Sequence, residues 1–107
     1  MSKIQFAIEG QNAVEATKEL LEIPEISGDW QPVGGTQREP VLAAIATIVG
    51  ITGGAIAIAE QIHKWYNEWK KGKSGKKIDK VVIVGADGKR LLLEDVTAED
   101  ISKIFEP

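Results

Sequence analysis

Over residues 3–9, Ile4, Phe6 and Ile8 share one parity, and Lys3, Gln5 and Glu9 hold the other. Period two with β-branched and aromatic residues predicts a half-buried strand. Gly10-Gln11 breaks it. Asn12 then offers a helix N-cap with Glu15 three residues on, the spacing of a capping box. Val14, Thr17, Leu20 and Leu21 recur at helical spacing. Pro24 sets the end of this helix near Ile23, because the residue before proline is pushed out of the α region. Residues 24–39 contain Pro24, Gly28, Pro32, Gly34 and Gly35, which is loop chemistry. One short edge strand over residues 30–33 fits there, since an edge tolerates proline.

The periodicity then disappears. Residues 40–59 are twenty consecutive uncharged positions: six Ala, five Ile, two Val, one Leu, three Gly, two Thr and one Pro. Pro40 suits the first turn of a helix. After Ala59 the pattern turns amphipathic, with Ile58, Ile62, Trp65 and Trp69 on one stripe and Tyr66 beside it. The spacing predicts one long Gly/Ala-rich helix over 40–71, ended by Gly72. Ala46, Gly50 and Gly54 fall four apart, so such a helix carries a close-packing or partner face of Ala46, Gly50, Gly53 and Gly54. At 1.5 Å per residue it is about 48 Å long, against a radius of gyration near 13 Å for a domain of this length. It must overhang or break at Gly53-Gly54. Three readings stay open for it: core helix, protein interface, or membrane contact across the roughly 30 Å that twenty helical residues span.

Residues 78–84 are apolar on both parities, the pattern of a strand covered on both faces. Gly85-Ala-Asp-Gly88 is a hairpin turn, with Asp87-Gly88 expected to supply its positive φ angles, and residues 89–94 return from it. Thr97 caps a last helix, with Asp100 at the capping-box position and Ile101, Ile104 and Phe105 as its stripe. The order is β-α-(β)-α-β-β-α. The expected class is α+β, a single domain over residues 1–107, with a small mixed or antiparallel sheet packed on the long central helix.

Charge sharpens this picture. The net charge is −3, but residues 61–80 carry seven lysines against Glu68 and Asp79. This basic band lies between two acidic segments; phosphate or anionic lipid is one partner class for it, and the favoured reading is a solvated linker, flexible over residues 70–77. Trp65, Trp69, Lys70 and Lys71 form an aromatic and basic surface candidate of the kind that stacks on single-stranded nucleic acid. The shared spacing of the tryptophans with Ile62, and the acidic total, disfavour nucleic acid.

Candidate chemistry is thin. Cysteine is absent and His63 is the single histidine, which removes thiol nucleophiles, Cys-ligated metals and His-pair sites. Gly72-Lys73-Ser74 ends like a phosphate-binding loop, but Asn67 stands where the first glycine belongs, and a helix precedes where a strand is required. His63 lies at the edge of the amphipathic stripe, within reach of Glu60, and reads as a boundary residue. No catalytic residue, metal site or cofactor is expected. Residues 1–10 lack the basic-then-apolar layout of a signal peptide, so a cytoplasmic location is expected.

The chain as a whole is similar to the effector-associated constant component family of bacterial conflict systems. The resemblance rests on KIQFAIEG, on a short helix ending LLEIPEI, and on IATIVGITGGAIAIAEQIHKWYNEWKK. It is completed by the VVIVGADGKRLLL hairpin and a short last helix. It implies a small α+β protein acting as a non-catalytic adaptor for effectors such as caspase-like or trypsin-like peptidases and NTPase switches. The alternative is a membrane-active component using residues 40–71. A protein partner is expected, and self-assembly stays open. The helix here is richer in Ile and Thr, and lysines replace the usual arginines after it.

Overall fold

The computed structural model describes residues 3–33, 43–72 and 75–105. The chain runs β1 (Ile4–Glu9), α1 (Ala13–Leu20), β2 (Ile26–Pro32), β3 (Ala43–Ile51), α2 (Ala55–Lys71), β4 (Lys80–Val84), β5 (Arg90–Leu92), α3 (Ala98–Phe105). The five strands form one antiparallel sheet in the order β2-β3-β1-β4-β5. The class is α+β, as the sequence predicts, with one strand more than expected.

That strand corrects the long central helix. Residues 43–51 are β3, paired with β1 on one side and β2 on the other. The helix begins only at Ala55 and has 17 residues. Ile45, Thr47, Ile48, Val49 and Ile51 are β-branched, which favours a pleated surface, and Gly53 at φ +95° ends the extended run. A helix of about 48 Å would also outrun the molecule, whose longest extent is 42 Å. Residues 40–42 lie outside the described residues. The edge strand expected over 30–33 is longer and starts earlier, at Ile26.

The inward parity of the sheet is Ile4, Phe6 and Ile8 on β1, Ala44, Ala46 and Ile48 on β3, and Val81 and Ile83 on β4, all buried. All three helices pack on that one side. Phe6 touches Trp65 of α2 edge to face, at 6.5 Å and 79°, and Phe105 of α3 at 6.4 Å. Ala13, Ala16 and Leu20 of α1 complete the layer. Alanines at 44 and 46 on β3 leave room for α1 to come close.

Two glycines are demanded by close approach. Gly10 takes φ +142°, and a Cβ there would stand 2.6 Å from the Asp79 nitrogen. Gly28 sits at an irregularity in the β2–β3 pairing, where a Cβ would stand 2.1 Å from the Thr47 carbonyl oxygen. Val49 is the extra residue there.

The caps divide. Thr97 and Asp100 form the reciprocal box: Thr97 N–H donates to Asp100 Oδ2 at 3.1 Å, and Asp100 N–H to Thr97 Oγ1 at 3.2 Å. Asn12 stands at the N-cap of α1 but makes no side-chain cap bond. Its Oδ1 accepts from Lys77 N–H at 2.9 Å instead, tying α1 to the approach to β4. In the β4–β5 hairpin only Gly88 is left-handed, at φ +88°. Gly88 N–H donates to Gly85 O, and Gly85 N–H to Lys89 O. This is a turn followed by a bulge, in place of two positive φ angles at Asp87-Gly88.

Candidate interaction surface

The expected small-residue face is not a face. Ala46 is buried inside the sheet. Gly50 is the penultimate residue of β3 with nothing within 4 Å of its Cβ position, Gly53 is a turn, and Gly54 caps α2 with equally open space. The i, i+4 relation that joined them exists only on a helix.

The aromatic surface is corrected too. Trp65 and Trp69 are each 4% exposed. Trp65 Nε1–H donates to the Ala16 carbonyl at 2.9 Å, and Trp69 Nε1–H to Glu19 Oε2 at 2.7 Å. Both indoles therefore lock α2 to α1, and neither offers a ring for stacking. Lys70 and Lys71 are exposed. Lys70 Nζ donates to the Asp79 carbonyl at 2.6 Å. Lys76 pairs with Glu15, and Lys80 with Glu9 at 4.0 Å. Three of the seven lysines of the basic band are thus held by neighbouring acceptors. Among the described residues no helix is long and apolar enough to cross a membrane, which removes the helix on which the membrane reading stood.

His63 is a clasp by geometry. Its Nε2 lies 3.1 Å from the Val96 carbonyl, and its Nδ1 lies 3.3 Å from Asn67 Nδ2. With the proton on Nε2, the ring donates to Val96 and accepts from Asn67, so both nitrogens are satisfied. The contact pins α2 to the segment before α3. Cavities of about 400 and 430 Å³ open on either side of it. The second is lined by Tyr66, Lys70, Glu94 and Asp95. Burial, and then the carboxylates of Glu94 and Asp95, push the Tyr66 hydroxyl above its ordinary value. Among the described residues no cluster of three or more His, Cys, Asp or Glu could hold a metal ion.

The feature that sequence reasoning missed lies on the other side of the sheet. No described helix covers it. Register places Gln31, Ile45, Ala7, Val82 and Leu92 directly opposite one another, one residue on each strand from β2 to β5. Four of the five are apolar. Ile45, Ala7 and Val82 are half-buried, and Leu92 is 43% exposed. The adjoining row is Asp29, Thr47, Gln5, Val84 and Arg90. An apolar line thus crosses the open face, bordered by a row with an acid at one end and a base at the other. The signal was present in 78–84, whose two apolar parities asked for cover on both faces; in the structure Val81 and Ile83 have it, and Val82 and Val84 stay half-exposed.

Comparison with family models, curated proteins and solved structures finds no match to this chain.

Proposed function

We propose that this chain is a non-catalytic interaction module that binds proteins through the open face of its sheet. The observation that carries the reading is the apolar row Ile45–Ala7–Val82–Leu92, left uncovered by the described helices. Contiguous exposed apolar surface rimmed by polar residues is characteristic of interaction sites. His63 and the two indoles are occupied in structural contacts: His63 joins α2 to residue 96, and the indoles join α2 to α1. The sequence resemblance to effector-associated constant components supplies the partner class. On that reading the protein is a shared cytoplasmic adaptor for a peptidase or NTPase-switch effector in bacterial defence or signalling.

The test is calorimetric titration into a purified caspase-like or trypsin-like peptidase or an NTPase-switch effector. Saturable binding that is lost on Val82→Lys and kept on His63→Ala is the expected result. Binding indifferent to Val82→Lys overturns it. So does an activity of the isolated chain that falls by orders of magnitude on His63→Ala with the fold intact.

A further inference from the structure

β4 is apolar on both parities, and β3 nearly so, yet each is covered on only one face by described elements. Strands with that composition belong where both faces are buried. The open face also has an uneven charge layout that bears on what covers it. In the row Asp29–Thr47–Gln5–Val84–Arg90, the acid stands on one edge strand and the base on the other, with β1 midway between them.

A two-fold axis lying in the face, parallel to β1, maps each strand onto its mirror position across the sheet. It sets β2 of one copy over β5 of the other, β3 over β4, and β1 over itself. Asp29 then faces Arg90 of the second copy, twice per pair. Ile45 faces Val82, Gln31 faces Leu92, and Ala7 meets Ala7, where small side chains allow close contact. Glu9 falls opposite Glu9 of the second copy at one end of β1, and in each copy Lys80 stands beside it at 4.0 Å and offsets part of that repulsion. Both Asp29 and Arg90 are exposed in the single chain, where each is open to a charge brought by a second copy.

We propose that the open face is covered by a second copy of this chain, packed sheet against sheet about a two-fold axis parallel to β1. The inference rests on the reading of that face as an interaction surface. Sheets packed in this way sit about 10 Å apart, a gap that an arginine and an aspartate reaching toward each other can close. Five strands at about 4.8 Å spacing, over about five residues of length, give of the order of 300–400 Å² per copy. That lies below a standard stable interface, so the dimer is a weak one.

Sedimentation equilibrium from about 10 μM to 1 mM tests it, with folding of every variant checked by circular dichroism. The wild type is expected to show a monomer–dimer equilibrium, and Val82→Lys to remain monomeric. Asp29→Arg and Arg90→Asp should each weaken dimerisation by about tenfold or more, since each places like charges opposite one another twice. An equimolar mixture of these two single variants should dimerise again. In the mixed pair the new positive charge at position 29 of one chain faces the new negative charge at position 90 of the other, and the native pair forms at the second contact. A wild type that is monomeric at 1 mM overturns the proposal. Dimerisation untouched by Val82→Lys, or a mixture no stronger than its components, overturns it equally. If the wild type is monomeric while Val82→Lys still abolishes effector binding, the dimer falls and the adaptor reading stands.

Discussion

The two faces of the sheet are built from similar residues and meet different fates. Inside are Phe6, Ile8, Ile48, Val81 and Ile83; outside are Ala7, Ile45, Val82, Val84 and Leu92. Strand composition alone does not choose between them. The choice is made by the helices, whose single apolar stripes can be buried against only one side. Ile58, Ile62, Trp65 and Trp69 on α2, together with Ala13, Ala16 and Leu20 on α1, are satisfied by the Phe6 face. The outer face keeps an apolar row with no described helix to meet it.

The comparison breaks most visibly at Phe6. Phe6→Ala empties the contact among β1, Trp65 and Phe105 and should cost about 3–5 kcal/mol in urea unfolding. A loss below about 1 kcal/mol would mean that this face is not the core. Gly28→Ala comes next. The added Cβ meets the Thr47 carbonyl, which is backbone and cannot swing aside, so β2 must shift from β3 at about 1–3 kcal/mol. A melting temperature equal to wild type would show that β2 and β3 pair more loosely at this irregularity.

The third test is by pH. Hydrogen bonds from the backbone and side chain of Thr97 hold the Asp100 carboxyl below its ordinary 3.8. A group depressed in the folded state contributes stability above its unfolded value and loses it as pH falls through the folded one. The stability gap between wild type and Asp100→Asn should therefore be full at neutral pH and shrink below about pH 4. A gap independent of pH would dissociate the cap from the charge. The smallest effects are expected outside. At low micromolar concentration, Val82→Lys and Gly50→Ala should each change unfolding free energy by no more than about 0.5 kcal/mol. A loss of several kcal/mol at Val82 would show that the outer face is already covered within one chain.

Legibility followed the same divide. β1 was readable because its polar parity is polar: Gln5 and Glu9 separate it from Ile4, Phe6 and Ile8. The α3 cap was readable because Thr97 and Asp100 interact locally, and the stripe of α2 because four large residues share it. β3 was not. In AAIATIVGI both parities are apolar, so period two vanishes, and alanine suggests a helix; the β-branched count was the signal that outweighed it. β2 hid behind Ser27-Gly28-Asp29, which reads as a loop because its strand character comes from pairing with β3. The open face was beyond local pattern altogether. Its row takes one residue from each of five strands, and only the order of the strands brings those residues together.

That order also bears on how the chain is made. β1 occupies the middle of the sheet although it is the first strand in sequence. Its two neighbours are β3 and β4, which leave a ribosome only after some forty and seventy-five residues have been added. Phe6 and Ile8 must wait that long for cover, in a region where unpaired strand edges invite aggregation. Pairings so distant in sequence also slow folding, because the loop must close before the contacts are gained. Losing β1 would not trim an edge. It would divide the sheet into β2–β3 and β4–β5, and two-stranded pieces are at best marginal in water. The strand of this sheet that is made first is thus the one on which the whole sheet depends.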